Sequence, residues 1–157
     1  MTLTVWLAET PLGKVGLAPI CVCEYLPEPA WVEIPGAFPQ FCRAVEWQST
    51  LVPVLQLCPE KAAEHSAFEP AYAEPPSLPV LLLFTLNKDT PVIGVTLSQS
   101  PQKVVVEDAM SKDFCPDTCG FWQNKLLSGF VLDGASIPLI DPDLILRDDA
   151  FSGMHTC

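Results

Sequence analysis

Positive charge is scarce in this chain. Lys and Arg total 8 against 19 Asp and Glu, a formal net charge of −11 over 157 residues. No basic cluster interrupts that field, so a polyphosphate backbone is repelled and nucleic acid is excluded as a partner. Anionic membrane surfaces are disfavoured for the same reason. Histidine is limited to His65 and His155, both in segments without apolar periodicity, whereas a general base has to be held in place. A Gly-x-Ser-x-Gly elbow, a Gly-x-x-x-x-Gly-Lys phosphate loop and a His-Glu-x-x-His pair are all missing, which removes the sequence grounds for the chemistries they serve. No catalytic residue, cofactor or metal is assigned. Long apolar runs are missing as well. The purest, Val80–Phe84, is far below the ~20 residues that a membrane-crossing helix needs. No basic residue precedes Lys14, unlike the positive start of a secretory leader. These features point to a cytoplasmic, non-enzymatic protein with no membrane insertion.

Proline, by contrast, is abundant, with 17 residues. It removes a backbone donor and clashes with the preceding turn, so long helices are excluded almost everywhere. Hydrophobic residues make up 49% and charged residues 17%, enough apolar surface for one domain or two lobes sharing a core. Strands are expected at Thr2–Ala8, Val15–Tyr25, on both sides of Gln48-Ser49-Thr50, and at Val80–Leu86, Val92–Leu97 and Val104–Val106. Turns fall at Gly13-Lys14 and Asn87-Lys88-Asp89. Pro29 and Pro35 bracket an extended segment. Short helical pieces are expected at Phe38–Val45, Glu60–Phe68 and Phe121–Leu127. Glu69–Pro79 and Glu107–Gly120 read as irregular. Asp141-Pro142-Asp143 starts a last helical turn, with Asp141 as its cap and Pro142 at the first helical position. Asp148 and Asp149 belong to a fraying tail.

One pattern occurs twice. Val45-Glu46-Trp47-Gln48-Ser49-Thr50-Leu51-Val52-Pro53-Val54-Leu55-Gln56-Leu57 aligns with Phe130-Val131-Leu132-Asp133-Gly134-Ala135-Ser136-Ile137-Pro138-Leu139-Ile140-Asp141-Pro142. Each copy reads apolar strand, polar turn, apolar strand with one proline, and Pro53 falls on Pro138. Gly16-Leu17-Ala18 and Gly94-Val95-Thr96 pair at a similar offset. Such self-similarity marks a duplicated structural unit. About ten short strands with regular turn signals suggest a β-barrel or paired barrels. A doubled β unit without reactive residues points toward binding.

Seven cysteines are present. In a reducing compartment their plain role is as small buried hydrophobes. Cys21 and Cys23, two apart on an expected strand, would share a face. Cys115 and Cys119 form a C-x₃-C pair that can supply half of a four-ligand zinc site, with Cys21 and Cys23 as the other half. A zinc- or thiol-dependent protein is therefore the alternative reading. A third is a barrel with a ligand cavity in place of a packed core. Of the four tryptophans, Trp47 stands out because it lies beside a hairpin turn, where a large side chain can reach a partner.

The order of these elements resembles the CheW-like domain of chemotaxis and chemosensory systems. The matching segments are Gly16–Leu26 followed by Pro27-Glu28-Pro29, then Ile34-Pro35-Gly36-Ala37-Phe38, the Val45–Leu57 hairpin, Val80–Phe84 followed by Ile93-Gly94-Val95, and Leu126–Ile145. The resemblance implies an all-β fold: two similar five-stranded, SH3-like barrels packed on a shared core, with residues 1–147 as one domain and 148–157 as a tail. It also implies a non-enzymatic adaptor in chemotaxis or pilus-linked chemosensory signalling, which joins a histidine kinase regulatory domain to the cytoplasmic tip of chemoreceptors. The expected interaction residues are Val45, Glu46, Trp47, Gln48, Ser49 and Leu51. At this turn the family usually carries Asn-Leu-Arg-Gly, and here Gln48 and Ser49 stand in place of the arginine and glycine.

Overall fold

The computed structural model describes residues 2–34, 43–55, 57 and 78–146. Its strands are short and follow two-residue alternation. β1 (Thr2–Thr10) turns at Pro11-Leu12 into β2 (Gly13–Leu17), where Gly13 takes a φ of +117°. A 3-10 turn at Pro19–Cys21 separates β2 from β3 (Val22–Leu26). The single strand expected over Val15–Tyr25 is thus broken. Pro19 has no N–H for a sheet ladder, and the chain leaves one sheet there and enters the other. Cys21 consequently lies in the turn and does not share a strand with Cys23.

The remaining strands are β4 (Trp31–Glu33), β5 (Arg43–Trp47), β6 (Thr50–Leu55), β7 (Val80–Phe84), β8 (Val92–Thr96), β9 (Gln102–Glu107), β10 (Leu126–Leu132) and β11 (Ala135–Ile140). The helix expected at Phe121–Leu127 is instead a 3-10 turn, Gly120–Trp122, followed by β10. Leu126 pairs with Ile140 across the sheet, and that tertiary pairing overrides a local helical pattern too short to hold itself together. The final helix, α1 (Pro142–Leu146), starts as expected. The Asp143 N–H donates to Asp141 Oδ1 at 3.0 Å, a capping bond. Residues 43–45 of the helical turn expected at Phe38–Val45 lie in β5. The rest of that turn, Glu60–Phe68, nearly all of Glu69–Pro79, His65, His155, Asp148 and Asp149 lie outside the described residues. Among those described, no helix is long and apolar enough to cross a membrane.

The strands form two curled sheets, ordered β10-β11-β2-β1-β9 and β3-β7-β8-β6-β5-β4. The expected architecture of two small all-β barrels on a shared core is what the structure contains, except that the second sheet has six strands and not the expected five, because β4 adds to the edge at β5. The two are called here the β1 barrel and the β7 barrel. The duplication extends to single residues. Leu139, just after Pro138, pairs in parallel with Gly16, and Val54, just after Pro53, pairs in parallel with Gly94. Gly16 faces Leu7 of β1, and Gly94 faces Leu82 of β7. In that register Val5 corresponds to Val80, Trp6 to Leu81, Leu7 to Leu82 and Ala8 to Leu83.

Each barrel has its own interior. Val5, Phe130 and Ile137 fill the β1 barrel. Their counterparts Val80, Val45 and Val52 fill the β7 barrel. The opposite faces of the same strands meet in a third cluster that includes Ala8, Val15, Leu17, Leu81, Leu83 and Ile93. Trp122 and Ile145 are buried in this shared core, so the 3-10 turn and α1 act as its lids.

The two repeat units also exchange strands: β3 to β6 join the sheet of β7 and β8, and β9 to β11 join that of β1 and β2. β3 follows β2 in sequence but pairs with β7, while β9 follows β8 but pairs with β1. Sheet edges differ. β4 covers β5 in one barrel. In the other, the Phe114 ring lies over Gly129 of β10, where an added Cβ would come within 2.1 Å of the ring.

Gly94 offers a test of this packing. A Cβ there would lie 2.8 Å from both Val54 Cγ2 and Val80 Cγ1, two fully buried side chains that are stiff at χ1. Gly94→Ala is expected to cost about 1–3 kcal/mol by overpacking. Gly16→Ala meets one Phe130 ring atom at 3.0 Å and should cost less. Urea midpoints of the two variants check the order; equal values would contradict it.

Candidate functional site

The β5–β6 hairpin closes on a two-residue turn. Gln48 has φ +49° and Ser49 φ +63°, the left-handed pair whose twist matches that of the flanking strands. The counterpart turn is built alike, with Asp133 at φ +51° and Gly134 at +81°. Glycine takes this conformation at no steric cost, whereas an L-residue pays roughly 1–2 kcal/mol. Ser49 therefore keeps the shape of the turn under strain. Thr50 helps to hold it, as its Oγ1 donates to the Trp47 carbonyl at 2.7 Å.

Register decides which of the expected residues reach the surface. Trp47 pairs with Thr50, Glu46 with Leu51 and Val45 with Val52. Val45 is fully buried in the β7 barrel, so its side chain cannot meet a partner. Glu46, Gln48, Ser49 and Leu51 are exposed, Leu51 by 56%. Trp47 is half-buried. It packs on the Val45–Val52 cluster, and its Nε1–H donates to the Glu24 carboxylate on β3. It is a closing piece of the barrel as well as a surface residue. The outward face of the hairpin is thus Glu46 and Leu51, with the Gln48-Ser49 turn at its tip.

A second exposed apolar group gives no signal in the sequence. Ile20, in the 3-10 turn between β2 and β3, is 85% exposed, and Leu86, just past β7, is 87% exposed. The Leu86 N–H donates to Asp143 Oδ1 at 2.8 Å, which ties the end of β7 to α1. The Cys21 thiol is pushed above its ordinary pKa by burial, then by Asp141 and Asp143. The 3-10 turn, the end of β7 and the start of α1 therefore converge at one end of the seam between the barrels.

The cysteine pairs do not converge. Cys23 packs against the interior of the β7 barrel. Cys115 and Cys119 flank the 3-10 turn Pro116–Thr118, and the Cys115 N–H donates to Ser136 Oγ of β11 at 3.0 Å. Among the described residues, no three His, Cys, Asp or Glu side chains are grouped to hold a metal ion. The four-thiolate site combining Cys21 and Cys23 with Cys115 and Cys119 is not formed, because the pairs are fixed to different sheets. Thiol chemistry is disfavoured at Cys21, Cys23 and Cys119 as well. Burial raises the pKa of Cys23, with Glu24 adding to it. Burial likewise raises that of Cys119, with Cys115 adding and a Thr118 hydrogen bond opposing. A raised thiol holds less of the reactive thiolate at neutral pH.

Two expectations follow. Ser49→Gly relieves the left-handed strain and should stabilise the protein by about 1 kcal/mol, read as a higher urea midpoint; a lower midpoint would mean that the serine side chain supports the turn. Alkylation of the native chain by iodoacetamide, mapped by mass spectrometry, should be slow at Cys21, Cys23 and Cys119 at pH 7. It should accelerate only at a pH higher than an unperturbed thiol requires. Fast labelling of these residues at pH 7 would contradict the raised pKa values.

No protein-family model matches the chain, and no curated protein matches it in sequence. Its fold does match a solved structure, the scaffolding protein TtCheW from Thermoanaerobacter tengcongensis. The TM-score is 0.67 at 11% identity, covering 95% of this chain and 95% of that one.

Proposed function

We propose that this chain is a non-enzymatic adaptor of the CheW-like type, acting in chemotaxis or pilus-linked chemosensory signalling. It would join a histidine kinase regulatory domain to the cytoplasmic tip of chemoreceptors, and so work in the cytoplasm. Residues 1–147 would act as one adaptor domain, with 148–157 as a tail. The observation that carries this reading is the likeness to a scaffolding protein over nearly the whole of both chains, in a fold whose duplicated register is traceable residue by residue.

The β5–β6 hairpin is the partner surface we favour. Glu46 and Leu51 lie side by side on its outer face, and the turn carries Gln48 and Ser49 where the family has arginine and glycine. Without the guanidinium, the turn lacks a fixed cation and its charge-assisted bonds. Recognition would then rest on the apolar Leu51 and the carboxylate of Glu46, which suits a partner surface that is apolar and basic.

Titration calorimetry of the full chain against the kinase regulatory domains and receptor tips of its source organism tests the reading. One saturable complex is expected, and heat from none of them would overturn it. Leu51→Asp, at an exposed position, should weaken that complex by roughly tenfold or more, as truncation of an interface anchor does, with the thermal midpoint unchanged. Full affinity in this variant would remove the hairpin from the interface.

A further inference from the structure

Apart from β4, the two barrels correspond strand for strand, yet their mouths are closed differently. In the β7 barrel, Trp47 at the end of β5 packs on the interior and donates to Glu24 on β3. Register fixes the counterparts in the β1 barrel. Trp47, last in β5, corresponds to Leu132, last in β10. Glu24 pairs with Leu82, and Gln102 pairs with Leu7, the counterpart of Leu82. Gln102 therefore stands where Glu24 stands. A leucine is smaller than an indole and has no donor for the glutamine, so the closure seen in one barrel cannot form in the other. Leu132 and Gln102 instead line a cavity of about 380 Å³.

Leu7, Val104, Leu132 and Ile137 supply apolar walls to this cavity, and Glu9, Lys14, Gln102 and Asp133 bring polar groups to it. The size falls within the ~300–1,000 Å³ of small-molecule pockets, and the lining is about half apolar and half polar, which suits a ligand with one apolar and one charged end. The lining holds two carboxylates, Glu9 and Asp133, and one ammonium group, Lys14. Gln99, also in the lining, donates its amide N–H to Glu9, which holds that carboxylate in place. A net charge of −11 adds a field that draws cations and repels anions.

We propose that this cavity binds a small aromatic amine. Its ring would sit between Leu132 and Gln102, where the other barrel seats its own indole, and its cationic end would point toward Glu9 and Asp133. The site is independent of the adaptor role, and its failure would leave that role untouched.

Amide NMR titrations of the full labelled chain with tryptamine, indole and indole-3-acetate test the proposal. Tryptamine should saturate at about 1 mM or tighter and shift the amides of Leu7, Val104, Leu132 and Ala135. Indole should bind several-fold more weakly, and indole-3-acetate should produce no saturable shift. No saturation with tryptamine, shifts mapping elsewhere, or tighter binding of indole-3-acetate would each overturn it. Leu132→Trp combined with Gln102→Glu installs the other barrel's closure. It should abolish tryptamine binding while the spectrum stays dispersed and the thermal midpoint holds or rises. Retained binding in the folded double variant would overturn the site. Asp133→Asn keeps a residue that tolerates the left-handed turn. It should weaken tryptamine about threefold and leave indole unchanged; unaltered tryptamine affinity would overturn the proposed orientation even if the double variant fails to fold.

Discussion

The strand Val80-Leu81-Leu82-Leu83 has no solvent side. Val80 and Leu82 fill the β7 barrel, Leu81 and Leu83 enter the shared core, and none of the four exceeds 1% exposure. Continuous apolar runs of this kind are usual in parallel sheets covered on both faces. Here β7 is antiparallel to both neighbours, and the second cover is the other barrel. β1 obeys the same constraint less fully, with Val5 and Leu7 on one side and Trp6 and Ala8 on the other. Separating the barrels would expose one face of each; among the described residues every strand pair lies within one sheet, so it is the shared core and not a ladder that resists such a separation.

Much of this architecture was legible in the sequence because the duplication is recorded at residues with little freedom. Gly16 and Gly94 sit where a parallel neighbour approaches closely, and Pro53 and Pro138 immediately precede the residues that pair with them. The Val80–Leu83 run likewise announced a buried strand. The break at Pro19 was not legible, since Ile20 to Tyr25 reads as a continuation of the strand and only long-range pairing with β7 redirects it. The segment after Gly120 looked helical because its partner, Ile140, lies far along the chain. The assignment of β3 and β9 to opposite sheets is a tertiary choice with no local trace.

At the candidate surface the sequence located the hairpin but not the orientation of its side chains. Alternation from Val52 through the turn turns Val45 inward and Leu51 outward. Trp47, marked by its size as a contact residue, is held by a barrel interior and by Glu24. Duplication leaves the core positions matched and the mouths free to diverge. One mouth is closed by an indole, and the other ends in a leucine and a cavity. The Gln48-Ser49 turn shows the same freedom: its backbone copies that of Asp133-Gly134 while its chemistry differs.

Native-state hydrogen exchange on the full chain tests the exchanged double barrel most directly. Strands that share a sheet and a core open together. Amides of β3 should therefore track those of β7, and amides of β9 those of β1. Both barrels should reach the same highest protection, because β1 and β7 lose the shared core together. Two distinct protection levels that follow chain order, with β3 tracking β2 and β9 tracking β8, would contradict this assignment of strands to the two barrels.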